Sequence, residues 1–167
     1  NRNAQYLLSL VNQLIDLRKI DTQNLTLNYS QFNFSKFLNT TTTDFSSLMK
    51  ERNISFEKIY RLKSDHIYSD KENLHKILFN LLSNAIKHTP DKGKITLRAN
   101  QFIDKSNKLM QFISVTNSGS IIAPDEIDKI FNRFYRIPEQ NKYTNYGQSS
   151  TGIGLHIVKE LINLLGG

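Results

Sequence analysis

Four polar residues near the middle of the chain have the types and spacing that binding chemistry needs: Asn73, Asn80, Asn84 and Lys87. Their helical spacing places them on one face, opposite an apolar stripe. Amide oxygens can ligate a hard cation such as Mg²⁺, and a lysine ammonium can contact phosphate oxygens. The plain alternative is a solvated polar face, and the glycine pattern further along the chain argues against it.

A second cluster is a strand-like segment that runs into a turn containing Asn117 and Gly119. Glycine permits positive φ or a close approach of a ligand to the backbone. An asparagine amide both donates and accepts, so Asn117 could pair with the edge of adenine. The alternative is that Asn117 only helps to form the turn.

The third cluster is Thr151-Gly152-Ile-Gly154, placed where a loop meets the final helix. Two glycines there expose backbone N–H groups at a helix N-terminus, which suits a phosphate. The cluster lacks the lysine of a P-loop, and no dinucleotide-fold pattern surrounds it.

The elements that must position these clusters follow from hydrophobic periodicity and from turn residues. We predict helices over 4–20 and 35–51, a helix from a capping box at 69–72 to Thr89-Pro90, and a helix from near Gly154. We predict strands over 24–34, 53–63, 94–103 and 110–117, with short elements over 124–135.

Composition limits the classes of function. A chain of 167 residues supports one domain with an appended element, and its net charge of +7 suggests an anionic ligand. The basic residues are dispersed, which does not favour nucleic acid binding. The sequence has no cysteine, which removes disulfides and thiolate metal sites and fits a reducing compartment. We find no signal peptide and no apolar run of about 18 residues.

Together and in this order, the clusters resemble the ATP-binding domain of sensor histidine kinases, in the superfamily of gyrase B, Hsp90 and MutL. NLLSNAIKHTP (80–90) resembles the N box, VTNSGSII (115–122) the G1 box, IFNRFYR (130–136) the F box and STGIGLHIVKEL (150–161) the G2 box. The resemblance implies an α/β (α+β) two-layer sandwich of the Bergerat type. Its mixed β-sheet would carry three helices on one face, plus an N-terminal helix that projects out.

The resemblance also implies domain limits. Residues 22–167 would be the catalytic ATP-binding domain, and 1–21 would be the end of the dimerisation and phosphoacceptor hairpin, because 4–21 resembles its second helix. Family members continue into further strands after Gly167, so we expect this sequence to be part of a longer chain. The pattern is close to that of hybrid two-component sensors.

The cofactors implied by the resemblance are ATP and Mg²⁺. Asn84 would hold magnesium with help from Asn80, and Lys87 would contact phosphate. The adenine and ribose side would be formed by His88, Asn117, Gly119 and Ile122. Phosphates would be cradled by Thr151, Gly152, Gly154 and Leu155, and Arg136, or failing it Arg133, would reach the γ-phosphate. The segment 137–150 would be the lid.

Three positions depart from the family pattern. Asn117 stands where an aspartate is usual, Ile121 where the G1 box has a second glycine, and Ser150 where the G2 box has its first. Loss of the carboxylate weakens a charge-assisted acceptor for the adenine amino group by about 1 kcal/mol. We therefore expect nucleotide binding to persist with lower affinity.

The chain lacks a recognisable phosphoacceptor. None of its histidines, which are His66, His75, His88 and His156, has the context of the family's H box. The nucleotide site is therefore expected without its nucleophile. The partners implied are the protein's own phosphoacceptor hairpin, a response regulator receiver domain and a second copy in a homodimer. The domain would be the cytoplasmic part of a membrane-anchored sensor, with any membrane contact made by other parts of the protein.

Two other functions use the same fold. An ATP-hydrolysing switch of the gyrase, Hsp90 or MutL type places a glutamate base four residues before the magnesium asparagine. Here that position is Asn80, whose amide cannot abstract a proton. A degenerate nucleotide-binding interaction module is the second alternative, and the altered G1 box is the observation that keeps it open.

Overall fold

The computed structural model describes residues 2–22, 24–105, 107–119, 121–137 and 151–167, without the side chains of 2–6 and 9. The helices are α1 (Arg2–Asp21), α2 (Phe34–Thr43), α3 (Ser46–Glu51), α4 (Lys71–His88) and α5 (Gly154–Leu164). The strands are β1 (Tyr29–Asn33), β2 (Ser55–Arg61), β3 (His66–Asp70), β4 (Lys94–Ile103) and β5 (Leu109–Asn117). Short 3₁₀ turns occupy Pro124–Glu126 and Lys129–Phe131. The lid predicted over 137–150 lies outside the described residues from 138 onward.

Strands β2, β4 and β5 form a mixed sheet in the order β2-β4-β5, with β2 parallel and β5 antiparallel to β4. Strands β1 and β3 form a separate antiparallel ribbon. Alternate residues of β4, Ile95, Leu97 and Ala99, are buried in the core shared with α2 and α4, as the two-residue period of a strand requires. This arrangement confirms the predicted two-layer α/β sandwich.

Helix α4 carries the polar face, but the predicted capping box is wrong. Ser69 is still part of β3, where it pairs with Ser30. Asp70 is the N-cap instead, because its carboxylate accepts from the backbone and the amide nitrogens of Asn73, each at 2.9 Å. Asn73 is consequently buried and does not belong to the polar face that was predicted for it. That face consists of Asn80, Asn84 and Lys87.

The predicted helix over 35–51 is also wrong, because α2 and α3 are separated at Asp44–Phe45. The hydroxyls of Thr42 and Thr43 donate to the carbonyl of Asn39 at 2.8 and 2.9 Å. Such local bonds compete with the helical ladder. Phe45 is buried at the break and packs in the main core.

Two strand predictions need correction. The strand predicted over 24–34 contains only β1, Tyr29–Asn33. Strand β3 was not predicted at all, because its sequence gives a weak signal. Of its apolar residues only Ile67 is buried, while Tyr68 is exposed.

The second half of α1 packs against α4 and α5, although the sequence suggests a projecting helix. Leu17 is buried in a second cluster with Ile77, Ile153, Ile157, Val158 and Leu161. The first half leaves an apolar seam exposed, formed by Leu7, Leu8, Val11, Leu14 and Ile15. Neither α1 nor another helix of the described residues has the length and hydropathy needed to span a bilayer.

Candidate functional site

Asn80 of α4 presents its amide toward the start of α5. Asn80 donates from Nδ2 to the carbonyl of Lys76 at 2.9 Å, which fixes its amide oxygen away from the helix axis. A Cβ atom built on Gly154 would lie 2.7 Å from that oxygen. Asn84 is half-buried and has no hydrogen bond within the described residues. The amide oxygen of Asn80 is therefore placed as a donor of the kind that Mg²⁺ prefers, and Asn84 lies one helical turn further along the same face.

Lys87 on this polar face and Arg136 beside it have no counter-ion among the described residues. Lys87 is half-buried, and its pKa is lowered by burial and then by the nearby charge of Arg136. Arg136 is exposed. In the described part of the chain, neither side chain has an ion pair or a hydrogen bond. A desolvated lysine beside an arginine disfavours its own charge, so the pair would gain most from a phosphate.

His88 follows Lys87 at the end of α4. Burial lowers its pKa, and the charge of Lys87 lowers it further. At neutral pH the ring is therefore neutral, with an apolar face and one donor and one acceptor nitrogen. Such a ring suits contact with a base or a ribose better than contact with phosphates.

The G1 segment lies against the end of α4 through backbone contacts. Asn117, the last residue of β5, donates from Nδ2 to the carbonyl of His88 at 3.4 Å. Gly119 has φ +140°, and a Cβ there would lie 2.4 Å from the same carbonyl oxygen. Glycine is therefore required for two reasons, conformation and space. Ile122 follows with 39% of its surface exposed.

The G2 segment (150–161) and the F segment (130–136) contact each other through their backbones. Gly152 has φ +69°, and a Cβ there would lie 2.6 Å from the carbonyl carbon of Phe134. The amide of Phe134 donates to the Gly152 carbonyl at 2.9 Å. This junction leads directly into α5, which begins at Gly154, and Leu155 is half-buried in its first turn.

Three side chains of α1 contact this region, and no sequence pattern predicts these contacts. Gln13 accepts from the hydroxyl of Thr151 at 2.9 Å. Asp16 pairs with Lys76 at 2.9 Å. Asp21 accepts two hydrogen bonds from Arg133, one of them at 2.8 Å. We refer to these three pairs as the α1 contacts.

Arg133 is therefore bonded to other groups and does not join Lys87 and Arg136. Besides Asp21, its Nε donates to Nε2 of His156 at 2.8 Å, and Nδ1 of His156 lies 3.1 Å from the carbonyl of Phe131. The hydrogen bond to Asp21 raises the pKa of Arg133, and the same bond lowers the pKa of the Asp21 carboxyl. Of the two arginines considered for the γ-phosphate, Arg136 is the one beside Lys87.

The predicted site residues thus converge on the end of α4, the end of β5 and the start of α5. The described residues contain no cluster of three or more histidine and acidic side chains that could hold a metal. A cation at this place would have amide oxygens as its protein donors, and ligand phosphates would have to complete its coordination.

A family model described as histidine kinase-, DNA gyrase B-, and HSP90-like ATPase matches residues 69–167, which include all four boxes. The chain belongs to this ATPase family. "Histidine kinase P4" of Formosa agariphila is 35% identical over 165 residues, which are 97% of this chain and 12% of that protein. The chain spans between 10% and 26% of the length of the curated relatives it matches.

Solved structures agree on the fold of this ATPase domain. The structure of full-length ShkA in complex with AMPPNP matches 99% of this chain with a TM-score of 0.78 and 24% sequence identity. The match covers 32% of the ShkA chain. The structure of histidine kinase ThkA in complex with the response regulator protein TrrA matches 79% of this chain with a TM-score of 0.59 and 25% sequence identity. That match covers 40% of the other chain. The first match includes α1, so its arrangement with the ATPase domain has a counterpart there.

Proposed function

We propose that this domain binds Mg-ATP and donates the γ-phosphoryl group to a histidine on a dimerisation hairpin in two-component signalling. The observation that carries the proposal is the pair of cations Lys87 and Arg136, which lack a partner in the described part of the chain and lie beside the amides of Asn80 and Asn84. Positive charge and amide oxygens at one place fit a metal-bound triphosphate. The ring of His88 and the amide of Asn117 lie on the adenine side.

In the transfer step, a nitrogen of the acceptor histidine attacks the γ-phosphorus in line with the leaving oxygen. The bond to the β,γ-bridging oxygen breaks, and ADP leaves with that oxygen. Little covalent chemistry falls to the protein, so this domain contributes positioning and neutralisation of charge. Magnesium would sit on Asn84 and Asn80, while Lys87 and Arg136 neutralise phosphate oxygens.

The partners follow from this reaction. The acceptor hairpin would include α1, and its other helix and a second copy would cover the exposed seam of α1. A response regulator receiver domain would take the phosphoryl group next, in line with the ThkA–TrrA complex. The whole protein would be a sensor, with this domain in the cytoplasm where ATP is available.

The alternative of an ATP-hydrolysing switch is not favoured. Curated relatives in Formosa agariphila, Ectopseudomonas mendocina and Bacillus subtilis are named histidine kinases. At the position of the glutamate base, Asn80 uses its amide nitrogen to bond Lys76 and turns its oxygen toward Gly154. This oxygen can ligate a cation and cannot accept a proton from water.

Calorimetry of ATP binding with and without magnesium tests the proposal. We expect wild-type affinity to rise with magnesium, and Asn84→Ala to lose about tenfold in affinity only when magnesium is present. Asn163→Ala, which alters an exposed asparagine of α5, is the matched control. The second readout is acid-labile label from γ-labelled ATP on a hairpin added in trans. Equal affinity of a folded Asn84→Ala variant under both conditions would refute the magnesium assignment.

A further inference from the structure

Arg52 is a buried arginine directly behind the nucleotide site, and the sequence boxes do not include it. Only 5% of its surface is exposed. Its guanidinium donates to the carbonyl of Ile86 at 2.7 Å, to the carbonyl of Thr89 at 2.6 Å and to the carboxylate of Asp91 at 2.8 Å. Its own carbonyl accepts from the amide of Lys92 at 3.0 Å. One residue thus holds the whole turn that ends α4.

The carbonyls that Arg52 engages flank the carbonyl that the G1 segment uses. Ile86 and Thr89 lie on either side of His88 in sequence, and the His88 carbonyl accepts from Asn117 and faces Gly119. With the carbonyls of Ile86 and Thr89 held by Arg52, the peptide of His88 is restrained, and its carbonyl is directed to Asn117 and Gly119 instead. The rigid planar fork of arginine suits this task, because it binds several carbonyls in a fixed geometry.

The direction of that carbonyl determines how Asn117 is presented. Its bond to the carbonyl of His88 occupies one N–H of the amide and sets the amide orientation, and within the described residues the amide oxygen has no hydrogen bond. A free amide oxygen accepts from the 6-amino group of adenine, whereas guanine has an acceptor at that position. Loss of the carbonyl anchor would allow the amide to turn and would reduce this discrimination.

We propose that Arg52 is a positioning residue for adenine recognition, acting through the turn at His88 on Asn117. The inference rests on the proposed function, since it concerns the same nucleotide site. It adds a requirement that the boxes do not contain: the base end of the site depends on a guanidinium that contacts no nucleotide. The phosphate end, formed by Lys87 and Arg136, should not depend on it.

The test compares three ligands, Mg-ATP, Mg-GTP and Mg-tripolyphosphate, on the wild-type chain and on Arg52→Lys. A lysine retains the charge and one hydrogen bond but loses the fork. We expect ATP affinity to fall by about tenfold and the preference for ATP over GTP to fall toward one. Tripolyphosphate affinity should change by less than about twofold. Arg61→Lys, at an exposed position on β2, is the matched control and should change none of the three.

The outcomes separate the inference from the proposed function. An equal loss for all three ligands, or an unchanged ratio of ATP to GTP, would show a merely structural role and overturn the inference. If Arg52→Lys does not fold, Asp91→Ala removes only the exposed anchor and must lower the same ratio by about twofold. No change in that variant would also overturn the inference. Failure of the wild-type chain to bind Mg-ATP would instead refute the proposed function, and the inference with it.

Discussion

The α1 contacts and the proposed phosphate end of the site, formed by Lys87 and Arg136, differ in whether their charged side chains are paired. In the α1 contacts, Asp16 and Asp21 each have a cationic partner, Lys76 and Arg133. At the phosphate end, Lys87 is half-buried beside Arg136 without a partner in the described residues. Paired charges join two parts of the chain and add modest stability. Unpaired, desolvated charges reduce the stability of the free domain and are retained where a ligand supplies the missing anion.

The largest expected effect comes from a substitution that creates a steric clash at the proposed adenine-binding end of the site. Gly119→Ala places a methyl group 2.4 Å from the carbonyl of His88 at φ +140°. We expect a loss in unfolding free energy on the order of 1–3 kcal/mol and at least about a tenfold loss in ATP affinity. Thermal unfolding and calorimetry measure the two effects.

Gly166→Ala is the control for that prediction. Gly166 also has positive φ, at +83°, but a Cβ there meets nothing within 4 Å. The control therefore carries the conformational cost without the clash, and its ATP affinity should equal that of the wild type. Equal loss of affinity in both variants would show that the contact with His88 has no role in binding.

Two lysines of α4 test the comparison of charges directly. Lys87→Met should lose about tenfold in ATP affinity while the free domain keeps or gains stability, because a desolvated charge is removed. Lys76→Met should keep its ATP affinity and lose about 0.5–1 kcal/mol in unfolding free energy, because its partner Asp16 remains. Calorimetry and urea unfolding measure both. A loss of affinity in Lys76→Met alone would reverse the assignment of roles.

The pH dependence of stability sharpens the assignment of Lys87. Its pKa is lowered from 10.5 in the folded domain. Between the folded pKa and 10.5, the unfolded chain therefore binds more protons than the folded domain. Stability of the wild type should therefore rise with pH through this window toward 10.5. Lys87→Met should lack that rise.

His88 gives the smallest expected effect, on the acid side. Its pKa is lowered from 6.5 in the folded domain, first by burial. Below 6.5 the unfolded chain takes up the proton first, so stability should fall as pH falls between 6.5 and the folded pKa. Melting temperatures of His88→Asn should fall less over this range. His66→Asn, at an exposed position, should behave as the wild type, and an identical slope in all three proteins would contradict the burial of His88.

Sequence patterns predicted the local parts of the molecule well. The periodicity of α4 and the termini of β4 and β5 depend on neighbouring residues, and the structure confirms these elements. The break between α2 and α3 was missed because threonine hydroxyls changed the local bonding at Asn39. Strand β3 was missed because it forms only through its partner β1, which is distant in sequence.

By itself, the sequence determined the types and the helical spacing of Asn80, Asn84 and Lys87, and the need for glycine at Gly119. These depend on the chemistry of single residues and on the period of one helix. Only the tertiary structure decided which charges have partners: Arg133 bonds Asp21 from the far end of the chain, and Arg136 does not. It also placed Arg52 behind the turn of His88. Contacts between distant segments depend on how the elements pack, and no local pattern records that packing.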